Sequence, residues 1–80
     1  MKVYYYEHPA DGTNVYHATL SEAKKDIRAH VEKCWSVAVF LVDVGPATPK
    51  NVAEMMNGRG PHVQETYATH VQGGREPEED

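Results

Sequence analysis

The segment that most narrows the possible folds is Trp35 to Val44, which reads W-S-V-A-V-F-L-V-D-V. Its β-branched enrichment and its length mark a strand rather than a helix. Apolar residues fall on both of its faces, so both faces have to be shielded from water. Such a strand sits inside a sheet with cover, at least in part, on either side. Gly45-Pro46 ends it. The whole chain has 80 residues, which leaves room for one sheet of this kind and a single domain. A chain this short buries about 60–65% of the surface its unfolded form exposes, so the core is thin.

The flanking sequence supplies the rest of the sheet and its cover. Residues 2–8 are rich in Tyr and Val and read as a strand. Pro9-Ala10-Asp11-Gly12 is a turn, and Asn14 to Ala18 returns as the second strand of a hairpin. A short loop sets Tyr4 near His17 and Tyr6 near Val15. Thr19 and Glu22 form a T-x-x-E capping box that opens a helix. Leu20, Ala23, Ile27, Val31 and Cys34 then recur at helical spacing as one apolar stripe. Thr48-Pro49 opens a shorter second helix whose apolar side is Val52, Ala53, Met55 and Met56, closed by Asn57-Gly58. His62 to Val71 alternates as an edge strand, with Val63, Glu65, Tyr67, Thr69 and Val71 on one face.

The order β-β-α-β-α-β predicts an α+β domain. Its four-stranded, mainly antiparallel sheet has the main helix packed on one face, a second short helix, and the strand order 2-1-3-4. The longest apolar run, Val37 to Val42, is far short of the roughly 20 residues a membrane helix needs. The N-terminus lacks a secretory pattern, and a lone Cys fits a reducing compartment, so the expected location is cytoplasmic.

Charge is placed unevenly. The formal net charge is -4, and four of the twelve acidic residues, Glu76, Glu78, Glu79 and Asp80, crowd into the last six positions. The rest of the chain is close to balanced, which argues against a general nucleic-acid binder with its basic face. Gly73-Gly74 reads as a flexible break, dividing a domain over 1–72 from an acidic tail over 73–80.

Catalytic chemistry is not legible. The single Cys excludes a disulfide framework and a thiolate zinc site, and no cofactor or metal is expected. Cys34 continues the apolar stripe and reads as a small buried hydrophobe rather than a nucleophile. The five histidines show no H-x-x-x-H or H-E-x-x-H spacing, and His30 reads as a boundary residue. Gly58-Arg59-Gly60 follows a helix, whereas a phosphate loop follows a strand. The carboxylates Glu7, Asp11, Asp43, Glu54 and Glu65 are spread over separate elements. The tyrosines carry the binding signal. Tyr4, Tyr5 and Tyr6 are consecutive, so at least one ring faces away from the main helix. If that helix covers Val3 and Tyr5, then Tyr4 and Tyr6 stand on the open face, where tyrosine makes strong contacts.

The phrase His17-Ala18-Thr19-Leu20-Ser21-Glu22-Ala23-Lys24-Lys25 resembles the strand-to-helix junction of many small bacteriophage-encoded proteins. With the length, the acidic balance and the single domain, the chain is similar to the anti-CRISPR class of phage inhibitors. The resemblance covers mainly Val15 to Val44, and the class shares no motif through which a functional residue carries over. It implies a stoichiometric, non-enzymatic inhibitor that binds a CRISPR-Cas effector protein and blocks target DNA recognition. It makes no direct contact with nucleic acid or membrane and acts as a monomer or weak dimer. The contacts expected on this chain are Tyr4, Tyr6, Tyr16, Glu22, Asp26, Glu32, Glu76, Glu78, Glu79 and Asp80. The same surface also suits another protein-binding module, such as an antitoxin or a regulatory subunit.

Overall fold

The computed structural model describes residues 1–57 and 64–77. The chain forms β1 (Lys2–Glu7), β2 (Asn14–His17), α1 (Leu20–His30), β3 (Ser36–Asp43), α2 (Pro49–Met56) and β4 (Gln64–Gln72). The strands make one antiparallel sheet in the order β2-β1-β3-β4. The fold class and the strand order are those the sequence predicts. So is the hairpin register, with Tyr4 opposite His17 and Tyr6 opposite Val15. Gly12 adopts φ 73° in the hairpin turn, a left-handed conformation that suits glycine.

Both faces of β3 are covered, as its composition demands. On one face α1 lays Ala23 and Ile27 against Tyr6, Val37, Val39 and Val71, with Val31 just past the helix end in the same cluster. On the other, α2 brings Met55 against Val42 and Val44, with Val3, Tyr5, Tyr16 and Val52 packed alongside. The step from Val39 to Val42 switches faces because side chains alternate along a strand. Full burial of one such aliphatic side chain contributes about 1.5–3 kcal/mol, so two small clusters are a substantial share of the stability of this domain.

The helices begin where their capping residues stand. Thr19 Oγ1 accepts the Glu22 backbone N–H at 3.2 Å, and Thr48 Oγ1 accepts that of Asn51 at 3.2 Å. The end of α1 differs from the expected stripe. Val31 is extended and its N–H closes on the Ile27 carbonyl at 2.8 Å. Cys34 therefore lies beyond the helix and is exposed, not a buried hydrophobe. Trp35, expected in the strand, precedes it and is 49% exposed.

The Gly73-Gly74 pair, expected as a flexible break, packs against the end of α1. Gly73 is buried, and a Cβ placed on it would sit 2.1 Å from the Glu32 carbonyl oxygen. A Cβ on Gly74 would sit 2.6 Å from that of Arg28. Only glycine lets the chain pass this close to the end of α1. The contact is held by backbone hydrogen bonds from Gly73 to Trp35, Arg75 to Val31 and Lys33 to Arg75, at 2.9, 3.0 and 2.9 Å. Contacts with the rest of the domain thus continue to Arg75 and Glu76, past residue 72.

The strand β4 also differs in its facing. Its pairing with β3 shifts between Val39 and Phe40, where Thr69 opposes Val39 and Tyr67 opposes Phe40. Ala68 is the extra residue of a β-bulge, and an extra residue switches the face of everything beyond it. Thr69 and Val71 consequently share the α1 face, while Glu65 and Tyr67 turn to the other. Val63, expected with them, lies outside the described residues. No helix among the described residues is long and apolar enough to cross a membrane.

Candidate binding site

The bulge at Ala68 completes a row of aromatic rings. Tyr16, Tyr5, Phe40 and Tyr67 are register partners across β2, β1, β3 and β4. Successive ring centroids are 5.4, 5.5 and 6.2 Å apart, the first two pairs stacked and the last edge to face. These are attractive geometries, worth roughly 0.5–1.5 kcal/mol per pair beyond the area they bury. His70 extends the row. Its ring lies 5.3 Å from that of Tyr67, and Tyr67 Oη is 2.6 Å from His70 Nδ1. Tyr5 Oη donates to Glu65 Oε1, which ties β1 to the edge strand across β3. The Tyr16 and Tyr5 end is half-buried beside Val52 and Met55 of α2. The other end opens to solvent, with Tyr67 54% exposed.

The expected pair on this surface is corrected. The main helix covers the Tyr4 and Tyr6 side, so Tyr6 is only 1% exposed and Tyr4 is half-buried against the same cluster. A buried ring cannot meet a partner; the exposed tyrosine is Tyr67, on the opposite face, where Tyr5, Tyr16 and Phe40 are half-buried as Tyr4 is. Tyr16 does lie on the aromatic row.

The acidic residues scatter. Asp26 is no free surface charge. Its Oδ2 accepts from Tyr6 Oη at 2.6 Å and from His17 Nε2 at 2.9 Å, and its Oδ1 lies 3.5 Å from His30 Nε2. Burial acts to raise the Asp26 pKa. The hydrogen bonds from Tyr6 and His17 and the charges of His17 and His30 outweigh it, and hold the carboxyl below its ordinary range. Burial first, and then the Asp26 carboxylate, push the Tyr6 hydroxyl well above the ordinary tyrosine range. Tyr6 and His17 also lie ring over ring at 6.3 Å. This cluster joins β1, β2 and α1, and its spacing was partly visible as Asp26 and His30 four residues apart. No group of His, Cys, Asp or Glu suited to hold a metal ion forms among the described residues.

Glu22 is exposed on α1. Glu32 lies past the helix end, where it pairs with Arg75 in a short parallel bridge and accepts a long hydrogen bond from Cys34 Sγ at 3.7 Å. Glu76 forms an ion pair with Lys33. Glu78, Glu79 and Asp80 lie outside the described residues. The seven expected contacts among the described residues therefore do not form one surface.

Tyr5, Phe40, Glu65, Tyr67 and His70 were missed as a set. The signal for the first two was present, since Tyr5 and Phe40 are the residues left on the far face once α1 takes Tyr4 and Tyr6. The bulge that brings in Tyr67 has no sequence signature here. No known protein family, curated protein or solved structure matches the chain.

Proposed function

We propose that this chain is a non-enzymatic protein-binding module that docks through the aromatic row of its sheet. The supporting observation is the row itself, four register-matched rings that end in a half-exposed Tyr67 at the sheet edge. Stacked, hydrogen-bonded rings are rigid, so they present contact area at little entropic cost. The resemblance at His17 to Lys25 suggests the partner class, a CRISPR-Cas effector protein in the bacterial cytoplasm whose target DNA recognition is blocked. The contact set moves accordingly from Tyr4 and Tyr6 to Tyr5, Phe40 and Tyr67.

The test is binding of the purified protein to purified type I and type II Cas effectors, followed by a target-DNA binding assay. Binding by wild type that Tyr67→Ala weakens supports the reading. No binding and no loss of target recognition in any system overturns it.

A further inference from the structure

We infer that the aromatic row is a site for arginine side chains borne by an extended segment of a partner protein. This rests on the protein-binding reading and names the chemistry that the surface selects. Lys2 is the one lysine or arginine in the four strands, and strand alternation puts it on the α1 side with Tyr4 and Tyr6. The opposite face carries the rings and two carboxylates. Glu7, opposite Asn14, shares the parity of Tyr5, and Glu65, opposite Val42, shares that of Phe40. Both carboxylates are on exposed residues. Ring faces carry negative π density, and a carboxylate carries a full negative charge. The row ends at the His70 imidazole, and the carboxylates are the fixed charges that the strands carry on this face, so it repels phosphate and attracts a cation.

Geometry favours guanidinium over ammonium. A guanidinium is planar, so it can lie on the exposed Tyr67 ring while its edge donates to the carboxylate of Glu65. Glu65 comes from the same strand and face two residues away, and its hydrogen bond from Tyr5 fixes the carboxylate beside the row. A carboxylate has about four acceptor positions, so one phenol leaves room for an arginine. A lysine ammonium is also drawn to a ring face, but as a compact charge it cannot stack flat on the ring while its edge donates to the carboxylate. Single-stranded RNA would also stack on such rings, but its phosphates would meet Glu7 and Glu65 without a compensating lysine or arginine on that face of the strands.

The experiment titrates the full-length protein, by NMR and calorimetry, with blocked (Gly-Arg)3, (Gly-Lys)3, (Gly-Glu)3 and oligo-uridine. Tyr67→Ala and Glu65→Gln run alongside, with circular dichroism as the folding control. The expected result is saturable binding of (Gly-Arg)3, at least about threefold tighter than (Gly-Lys)3, with shifts centred on Tyr67 and Glu65. Each variant weakens it by roughly threefold or more while the fold persists. Equal binding of the arginine and lysine peptides, preferential binding of oligo-uridine, or no peptide binding overturns the inference. So does self-association that buries Tyr67. The two levels separate cleanly. If Tyr67→Ala abolishes effector binding but the peptides show no arginine preference, the docking reading stands and the arginine assignment fails. If effector binding ignores Tyr67→Ala, the docking reading itself fails.

Discussion

Tyr6 Oη donates to Asp26 Oδ2 across 2.6 Å, joining the middle of β1 to α1 on the face that the helix covers. Tyr6 lies under the helix beside the partly buried Asp26, and strand alternation sends Tyr5 to the far side. A hydrogen bond to a charged group contributes about 1.5–3 kcal/mol. Tyr6→Phe keeps the ring and removes only the donor. The expected outcome is a loss of stability of that size in urea denaturation, with an unchanged slope. A loss below a few tenths of a kcal/mol would mean that packing alone orients β1.

The same pair sets a pH dependence at both ends. The folded-state pKa of Asp26 is depressed, so the unfolded chain takes up the proton first. Its stabilising contribution is full above the ordinary carboxylate range near pH 4 and fades as pH falls through the folded value. Tyr6 is raised, so its contribution is full below about pH 10 and fades as pH climbs toward the folded value. Thermal unfolding between pH 2 and 5 should show Asp26→Asn losing less stability on acidification than wild type. Asp11, held low by hydrogen bonds from Thr13, titrates in the same direction, and it remains in both proteins. Parallel acid profiles would remove Asp26 from the account.

The three consecutive tyrosines show how far the sequence could be read. Alternation told that they divide between two faces, and β3 told that both faces are covered. Nothing in Tyr-Tyr-Tyr itself says which parity takes the larger helix, because the rings are chemically alike. Under the helix Tyr6 meets Asp26 and His17, distant in sequence and polar, which no apolar pattern reveals. The capping threonines and the hairpin register were legible because they are local. Cys34 misled because the stripe keeps its spacing past the residue where Val31 turns extended. The bulge at Ala68 was hidden because a single extra residue leaves the composition of β4 unchanged.

The close approach at the end of α1 makes a steric prediction. Gly73→Ala places a methyl 2.1 Å from the Glu32 carbonyl oxygen, a contact that backbone must move to relieve. The hydrogen bonds of Gly73 and Arg75 to Trp35 and Val31 would be lost with that movement. A fall in the unfolding midpoint corresponding to about 2 kcal/mol or more is expected, from strain and two broken bonds together. Faster hydrogen exchange at Lys33 and Arg75 should accompany it. An unperturbed midpoint would show that the segment is a dispensable attachment.

The central claim is that the open aromatic row, rather than the Tyr4 and Tyr6 side, meets a protein partner. The most direct measurement is the affinity of wild type, Tyr67→Ala and Glu22→Gln for a purified Cas effector that the wild type binds. Tyr67 is at an exposed edge, so its removal should cost the fold about 1 kcal/mol at most. The account predicts that Tyr67→Ala weakens binding about tenfold or more, as loss of a central aromatic contact does, and that Glu22→Gln leaves it within about threefold. Equal affinities for wild type and Tyr67→Ala, or a loss confined to Glu22→Gln, would contradict it.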